Sequence, residues 1–260
     1  MFNLPTQWAL WGILFGSLTL ASASTNFAAN LASCTNNQEL DVCLRNTLEE
    51  LRRLMPVGIP ELGLNASEPL HISNLHFLRR LEPVVVDSVL SDVEVSGLSK
   101  FETKSISTDT KGQTLSLEIF VPEINIHGRY GIKGKVFVFP ISGEGPFKAR
   151  LRGITGSGGA KIVVVNGPEN QKHLSIQETS IDFDIKDIYL NMENLFGGAE
   201  KLFADTVNKF LNDNSDVILR EIKPQIKSRM ITIIDRVLND AFSQLPADDL
   251  INNIHSRRSG

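Results

Sequence analysis

The chain has 260 residues, 42% of them hydrophobic and 22% charged, with a formal net charge of -4. That length holds one large domain or two small ones. Acids and bases are interspersed, so no basic block is present to grip nucleic acid or an anionic membrane surface.

No charged side chain precedes Glu39. Trp8 to Leu20 is a mostly apolar run of 13 residues, short for a bilayer span, and it leads into the small residues Ala21-Ser22-Ala23. The pattern predicts a secretory signal peptide over residues 1–23. No later segment approaches membrane-spanning length, so stable membrane insertion is not expected. Cys34 and Cys43 are the only cysteines. In a secreted chain an isolated pair is most simply one disulfide. It would tie an incoming strand to a helix and constrain the unfolded chain by about 2–3 kcal/mol. Asn65-Ala66-Ser67 is a glycosylation sequon.

Gln38 to Met55 reads as a helix. Leu40, Cys43, Leu44, Leu48, Leu51 and Leu54 recur at three- and four-residue spacing, and Pro56, Gly58 and Pro60 end the run. From Leu70 to Asn191 the period becomes two. Leu115, Leu117, Ile119 and Val121 share one parity; Ile181, Phe183 and Ile185 alternate with Asp182, Asp184 and Lys186. Such strands bury one face and wet the other. Turns are expected at Asp109-Thr110-Lys111-Gly112, His127-Gly128, Ser142 to Pro146, Gly156 to Gly159 and Asn166-Gly167-Pro168. That spacing suits an antiparallel meander.

Leu195 to Leu245 returns to helical period, in one stripe from Leu195 to Leu211 and another from Leu219 to Phe242. Asn212 to Ser215 is placed for a bend, with Asn214 or Ser215 as cap. Pro224 is expected in the second helix's first turns or at a kink. The chain therefore reads as one domain over residues 24–254, followed by a disordered tail at 255–260.

Signals for chemistry are weak. His71, His76, His127, His173 and His255 are scattered, with no spacing for a zinc site, and neither a metal nor a cofactor is expected. Gly156-Ser157-Gly158-Gly159-Ala160-Lys161 lacks the Gly-Lys-Ser/Thr ending of a phosphate loop, and a strand rather than a helix follows it. No nucleophile elbow occurs. Asp182 and Asp184 fall on the polar parity of their strand, which suits a solvated face better than acid–base work.

Three ordered blocks carry a family likeness. Cys34, Cys43 and Leu48 to Leu70, including Gly58-Ile59-Pro60-Glu61-Leu62 and Glu68-Pro69-Leu70, form the first. Gly128-Arg129-Tyr130-x-Ile132-x-Gly134 with Pro140-Ile141-x-Gly143-x-Gly145 is the second. Asn194-Leu195-Phe196-Gly197-Gly198, Phe210-Leu211-Asn212, Pro224 and Phe242-Ser243-x-x-Pro246 form the third. Together they resemble the takeout / juvenile-hormone-binding protein family of insects over essentially the whole mature chain.

The resemblance implies an α+β fold, a long C-terminal helix wrapped by a highly curved antiparallel sheet that encloses an apolar tunnel. It implies a non-catalytic carrier of a terpenoid hormone, fatty-acid-like lipid or odorant. Such a carrier is secreted into haemolymph or chemosensory fluid, and some members are tied to circadian or feeding output. The family's dedicated hormone carriers have a second disulfide; this chain has no cysteine after Cys43 and looks takeout-like. The tunnel wall is expected from Ile222, Ile226, Met230, Ile233 and Val237 of the helix, facing Leu117, Ile119, Val136, Val138 and Phe183 of the sheet. Tyr130 and Tyr189 are candidate hydroxyl donors at a polar end, with purely structural roles as the alternative. Two other functional classes stay open: a secreted signalling protein docking on a receptor or chemosensory partner, and a hydrolase, which the missing elbow disfavours.

Overall fold

The computed structural model describes residues 34, 40–60, 64–109, 113–166, 172–196 and 201–243. Of Lys172, His173, Lys201, Val237 and residues 240–243 it describes only the backbone. The expected signal peptide and the tail lie outside the described residues.

Helix α1 spans Leu40–Leu54. Six antiparallel strands follow: β1 (Leu70–Leu81), β2 (Val84–Ser96), β3 (Glu102–Asp109), β4 (Thr114–Val136), β5 (Phe139–Asn166) and β6 (Lys172–Met192). Helices α2 (Lys201–Asp213) and α3 (Ser215–Ser243) close the chain. The sheet runs β1-β2-β4-β5-β6. β3 and β2 lie end to end along the same side of β4, pairing with its first and second halves. The result is a curled half-barrel with free edges at β1, β6 and the outer side of β3.

Three expected turns are absent. His127-Gly128, Ser142 to Pro146 and Gly156 to Gly159 all lie inside strands β4 and β5, which run unbroken for 23 and 28 residues. Gly143 and Gly145 give room for close approach instead. An added Cβ at Gly145 would come within 2.6 Å of the Glu193 carbonyl, and one at Gly143 within 3.0 Å of Leu195. The strands do break after Asp109 and Asn166, where the residues between them lie outside the described set. The β4–β5 turn is the two-residue loop Phe137-Val138, with Phe137 at φ 55. Nothing in its composition advertises a turn. Cys34 bonds Cys43 as expected, but Cys34 sits in a helical turn, not a strand.

The alternation of β4, β5 and β6 inverts along one line that crosses them in register, and that of β6 inverts a second time at Gln177-Glu178. Pro122-Glu123, Arg152-Gly153 and Lys186-Asp187 each put two successive residues on the more exposed side. Glu123, Arg152 and Asp187 pair directly across the three strands. Gly153 takes φ 62, a conformation a side chain would disfavour. Before this line the inward residues are Ile119 and Val121; after it they are Ile124 and Ile126.

The main core joins Val84, Val86, Tyr130, Val136, Ile141 and Phe147 of the sheet to Leu195, Val207 and Leu211. A second cluster packs Phe101, Val121 and Ile154 against Met55 and Ile185. Phe210 stacks on Phe137 and Phe139, with ring centroids 5.8 and 4.4 Å away.

Each free edge is capped by helix side chains. Asn208 and Asn212 of α2 accept from the Met192 and Leu190 amides and donate to the same residues' carbonyls, at 2.7–2.9 Å. Asn239 of α3 accepts from the Ile176 amide at 2.8 Å. On β3, Asp41 accepts from the Thr108 amide at 3.0 Å, and Arg45 donates to the Thr103 carbonyl at 2.9 Å. Asn214 marks the bend, donating to the Phe210 carbonyl at 2.9 Å. Pro224 lies inside α3, exposed.

Asn212→Leu keeps the bulk but strips two backbone groups of their partners. It is expected to lower the unfolding free energy by about 2–3 kcal/mol in chemical denaturation and to speed hydrogen exchange at Leu190. Unchanged exchange there would refute the capping role.

Candidate apolar binding site

Helix α3 bridges the open side of the half-barrel. Toward β1, Glu221 pairs with Arg79 and Gln225 donates to the Leu78 carbonyl at 3.2 Å. Toward β6, Lys223 and Lys227 reach Asp182 at 3.0 and 3.2 Å, and Lys223 also reaches Asp184 at 3.3 Å. Further along, Asp235 accepts from Thr179, and Asn239 accepts from Ser175 at 2.9 Å. Lys223, Lys227, Asp235 and Asn239 are spaced in multiples of four, so they form one slowly winding line on the helix. Lys223 also lies over the Phe183 ring, 5.3 Å from its centroid.

At about 100° per residue, Ile222, Ile226 and Met230 project from the arc between the β1 and β6 contacts. The opposite arc carries Arg220, Pro224 and Ser228, all exposed. Ile222 and Ile226 are half-buried and Met230 is 37% accessible. This inward arc faces the sheet without being packed solid.

The sheet opposite has a trough. Ile119, Gly156 and Phe183 are paired across β4, β5 and β6, as are Leu117, Gly158 and Ile181. In each row apolar side chains flank a glycine, so the middle strand contributes no side chain to the face. Walls on β4 and β6 stand roughly 9–10 Å apart, two strand spacings, which admits a single hydrocarbon chain. An added Cβ at Gly158 would meet only the Ser180 carbonyl, at 3.5 Å. Leu117, Ile119, Ile181 and Phe183 are all half-buried. The helix contacts to Asp182 and Thr179 put Ile226 and Met230 at the level of these rows.

Not every expected wall residue stands here. Val138 is 81% exposed, because it is the second residue of the β4–β5 turn, where no sheet face exists to hide it. Tyr130 and Val136 are fully buried in the main core, away from the trough. Ile233 is 51% exposed, although its angular position falls between those of Ile222 and Ile226. The side chain of Val237 lies outside the described residues. Leu117, Ile119 and Phe183 stand in the two sheet rows, and Ile222, Ile226 and Met230 lie along one arc of α3. The sequence reading missed the glycine floor, whose signal was the apolar residues flanking Gly156 and Gly158 in neighbouring strands, and the polar line on α3, legible as polar positions at four-residue spacing.

The polar groups do structural work. The Tyr130 hydroxyl donates to the Glu193 carbonyl at 2.7 Å, and burial pushes it up to about 12. Tyr189 is exposed and stacks with Arg150, 5.6 Å from its ring centroid. Hydrogen bonds from Lys223 and then Lys227 hold Asp182 down at about 2, where a carboxylate is a poor proton acceptor. Asn65 is exposed. Among the described residues, no group of His, Cys, Asp and Glu is arranged to hold a metal ion, and no helix is long and apolar enough to cross a membrane. A depression of about 640 Å³ opens on the sheet's outer side, lined by Val89 and Ile132 as well as Asp87, Lys133 and Glu144.

Two pH effects follow. Asp182 is depressed in the fold, so its contribution is present above its ordinary 3.8 and is lost as pH falls toward about 2. The stability gap between wild type and Asp182→Asn should therefore close over that window in acid melts. Tyr130 is raised, so its contribution is complete below pH 10 and is lost as pH climbs toward about 12. Tyr130→Phe should cost about 1 kcal/mol at neutral pH and lose less stability than wild type at alkaline pH. Parallel alkaline denaturation curves would contradict this.

The geometry matches known proteins throughout its length. The family model described as Haemolymph juvenile hormone binding protein (JHBP) matches residues 13–252. The circadian clock-controlled protein daywake of Drosophila yakuba is 23% identical over 248 residues, covering 92% of this chain and 94% of that protein. Its Drosophila melanogaster counterpart is 22% identical over 252 residues, covering 94% and 96%. A Schistocerca gregaria protein named as a candidate beta-carotene-binding protein is 26% identical over 230 residues, covering 84% and 86%. The crystal structure of Epiphyas postvittana Takeout 1 superposes with a TM-score of 0.70 at 20% identity, covering 82% of this chain and 97% of that one. With that match across nearly its whole length, the chain belongs to the haemolymph juvenile hormone binding protein family, as a takeout-like member.

Proposed function

We propose that this protein is a secreted, non-catalytic carrier that holds a small lipophilic molecule in the glycine-floored trough beneath α3. The observation that carries the reading is the pair of rows Ile119-Gly156-Phe183 and Leu117-Gly158-Ile181 facing Ile226 and Met230. Both sides are apolar, and the middle strand puts no side chain between the two walls. Family membership and the carotenoid in the name of the Schistocerca relative support the same chemistry. Terpenoid hormones, fatty-acid-like lipids and odorants all have the shape. A chain of about fifteen carbons gains about 12 kcal/mol gross on burial. Micromolar binding needs about 8 kcal/mol, so the rest offsets association costs.

Secretion rests on the apolar Trp8–Leu20 run before Ala21-Ser22-Ala23 and on the Cys34–Cys43 disulfide, which suits an oxidising compartment. Exposed Asn65 is then available for glycosylation. A circadian or feeding role is the physiological counterpart, supported by the name of the daywake relatives. Action through a protein partner is the second reading. It is favoured by Leu81 and Val138, which are exposed on neighbouring turns joined by the bond from the Phe137 amide to the Pro83 carbonyl.

Native mass spectrometry of the secreted protein, followed by organic extraction, is expected to yield a lipophile at one per chain. Gly158→Val, Ile226→Trp and Met230→Trp each fill the trough. Each should cut uptake of a fluorescent lipid probe at least tenfold (about 1.4 kcal/mol) while the melting temperature holds. Full uptake in all three variants, or an empty protein that accepts no lipid, would overturn the carrier reading in favour of partner binding.

A further inference from the structure

Resting on that carrier reading, we infer that Arg79 is the specificity-determining group for the ligand's polar end, and that it selects a neutral hydrogen-bond acceptor such as an ester or ketone carbonyl. Arg79 stands opposite Val86 on β1 and β2, and Val86 belongs to the main core. The arginine therefore projects from the inner face of the sheet. Its side chain is only 12% accessible. One terminal nitrogen bonds Glu221, but Nε is buried with no partner.

A buried guanidinium N–H without an acceptor is costly, and native interiors rarely leave one. This one stands in register with Val86, Gly134 and Ile141 at the second half of β4, and it reaches the helix over the trough through Glu221. Glu221 precedes Ile226 by five residues, roughly 7–8 Å along the helix axis. Buried Ser88 lies on the same face of the sheet, two residues along β2 from Val86. A chain lying between Met230 and Ile226 thus ends near a charged pair, Arg79–Glu221, that joins the sheet's inner face to α3.

The charge balance sets the head group. Glu221 already neutralises Arg79. A ligand carboxylate would crowd two anions onto one guanidinium in a poorly solvated place, whereas a carbonyl accepts the free N–H without adding charge. Arg79 also fixes the donor's direction, because its fork is planar and rigid, unlike a lysine ammonium.

The test is displacement of a fluorescent naphthylamine probe from the full-length secreted protein by methyl hexadecanoate, hexadecanoic acid and hexadecane. Wild type should bind the ester roughly tenfold more tightly than the hydrocarbon, and the free acid no better than the ester. In R79M/E221M, which removes both charges and strands neither, the ester's advantage should vanish while hexadecane binding persists. Arg79→Lys, which preserves the charge pair but not the fork, should lose most of it too. Equal binding of ester and hydrocarbon by wild type, an advantage that survives R79M/E221M, or a preference for the free acid would each overturn the assignment while leaving the carrier reading intact. Failure of every lipid to displace the probe would sink both.

Discussion

A curled sheet that does not close on itself has edges, and backbone groups on an edge must find partners. Most of this structure follows from how that is done. The β6 edge is paired by the amides of Asn208, Asn212 and Asn239, which offer a donor and an acceptor much as a neighbouring strand would. The β3 edge is met by Asp41 and Arg45 from α1. Helix α3 is then joined to the sheet by its flanks, through Glu221 and Gln225 on one side and Lys223, Lys227, Asp235 and Asn239 on the other. A helix docked through its apolar stripe would sink into the sheet and fill the hollow. One held by polar flanks leaves its inward apolar arc free to meet a guest.

The glycines complete the same logic. Each glycine in a strand interior costs about 0.5–1 kcal/mol relative to alanine, and β5 carries several. Gly153 is needed for the inversion that curls the sheet. Gly143 and Gly145 let the Glu193–Leu195 segment cross the strand closely. Gly156 and Gly158 meet no such demand: an added Cβ would be tight only against the Ile119 side chain at Gly156, at 3.2 Å. What they provide is volume, in the two rows where the flanking strands supply apolar walls. Stability given up without a packing reason points to a guest.

Much of the frame was legible in the residues. Period two from Leu70 onward and period 3.6 in the two helical stretches are consequences of burying one face, and burial dominates the energetics. The alternation of Ile181, Phe183 and Ile185 with Asp182 and Asp184 correctly separated the half-buried face from the exposed one. The turns failed because glycine serves two purposes. The same absence of a side chain that permits a reversal also permits close approach, and local sequence cannot tell them apart. Phe137-Val138 failed for the converse reason. Its positive φ is held by tertiary contacts, the stacking on Phe210 and the bond to Pro83, which have no local signature. The wall assignment to Val138 inherited that error. The edge-capping asparagines could not be foreseen, since asparagine in a helix ordinarily signals only a cap or a weak position.

The division of labour also bears on how such a chain can be only 20–26% identical to its relatives and keep their fold. The frame depends on alternation, on a few close approaches and on polar flanks, all of which tolerate wide substitution. The hollow depends on a handful of side chains at Leu117, Ile119, Ile181, Phe183, Ile226 and Met230, of which Ile119 also packs on the second core cluster and Phe183 also lies under Lys223. Changing Leu117, Ile181, Ile226 or Met230 alters the shape of the space without removing a polar contact that holds α3 across it. Catalysis would require the opposite, reactive groups fixed rigidly within fractions of an ångström. The carboxylates nearest the trough, Asp182 and Asp184, are instead spent on ammonium groups that fasten the helix. Charge in this protein builds the container, Arg79 is the charge turned to the ligand's polar end, and the apolar interior is left to choose by length and shape.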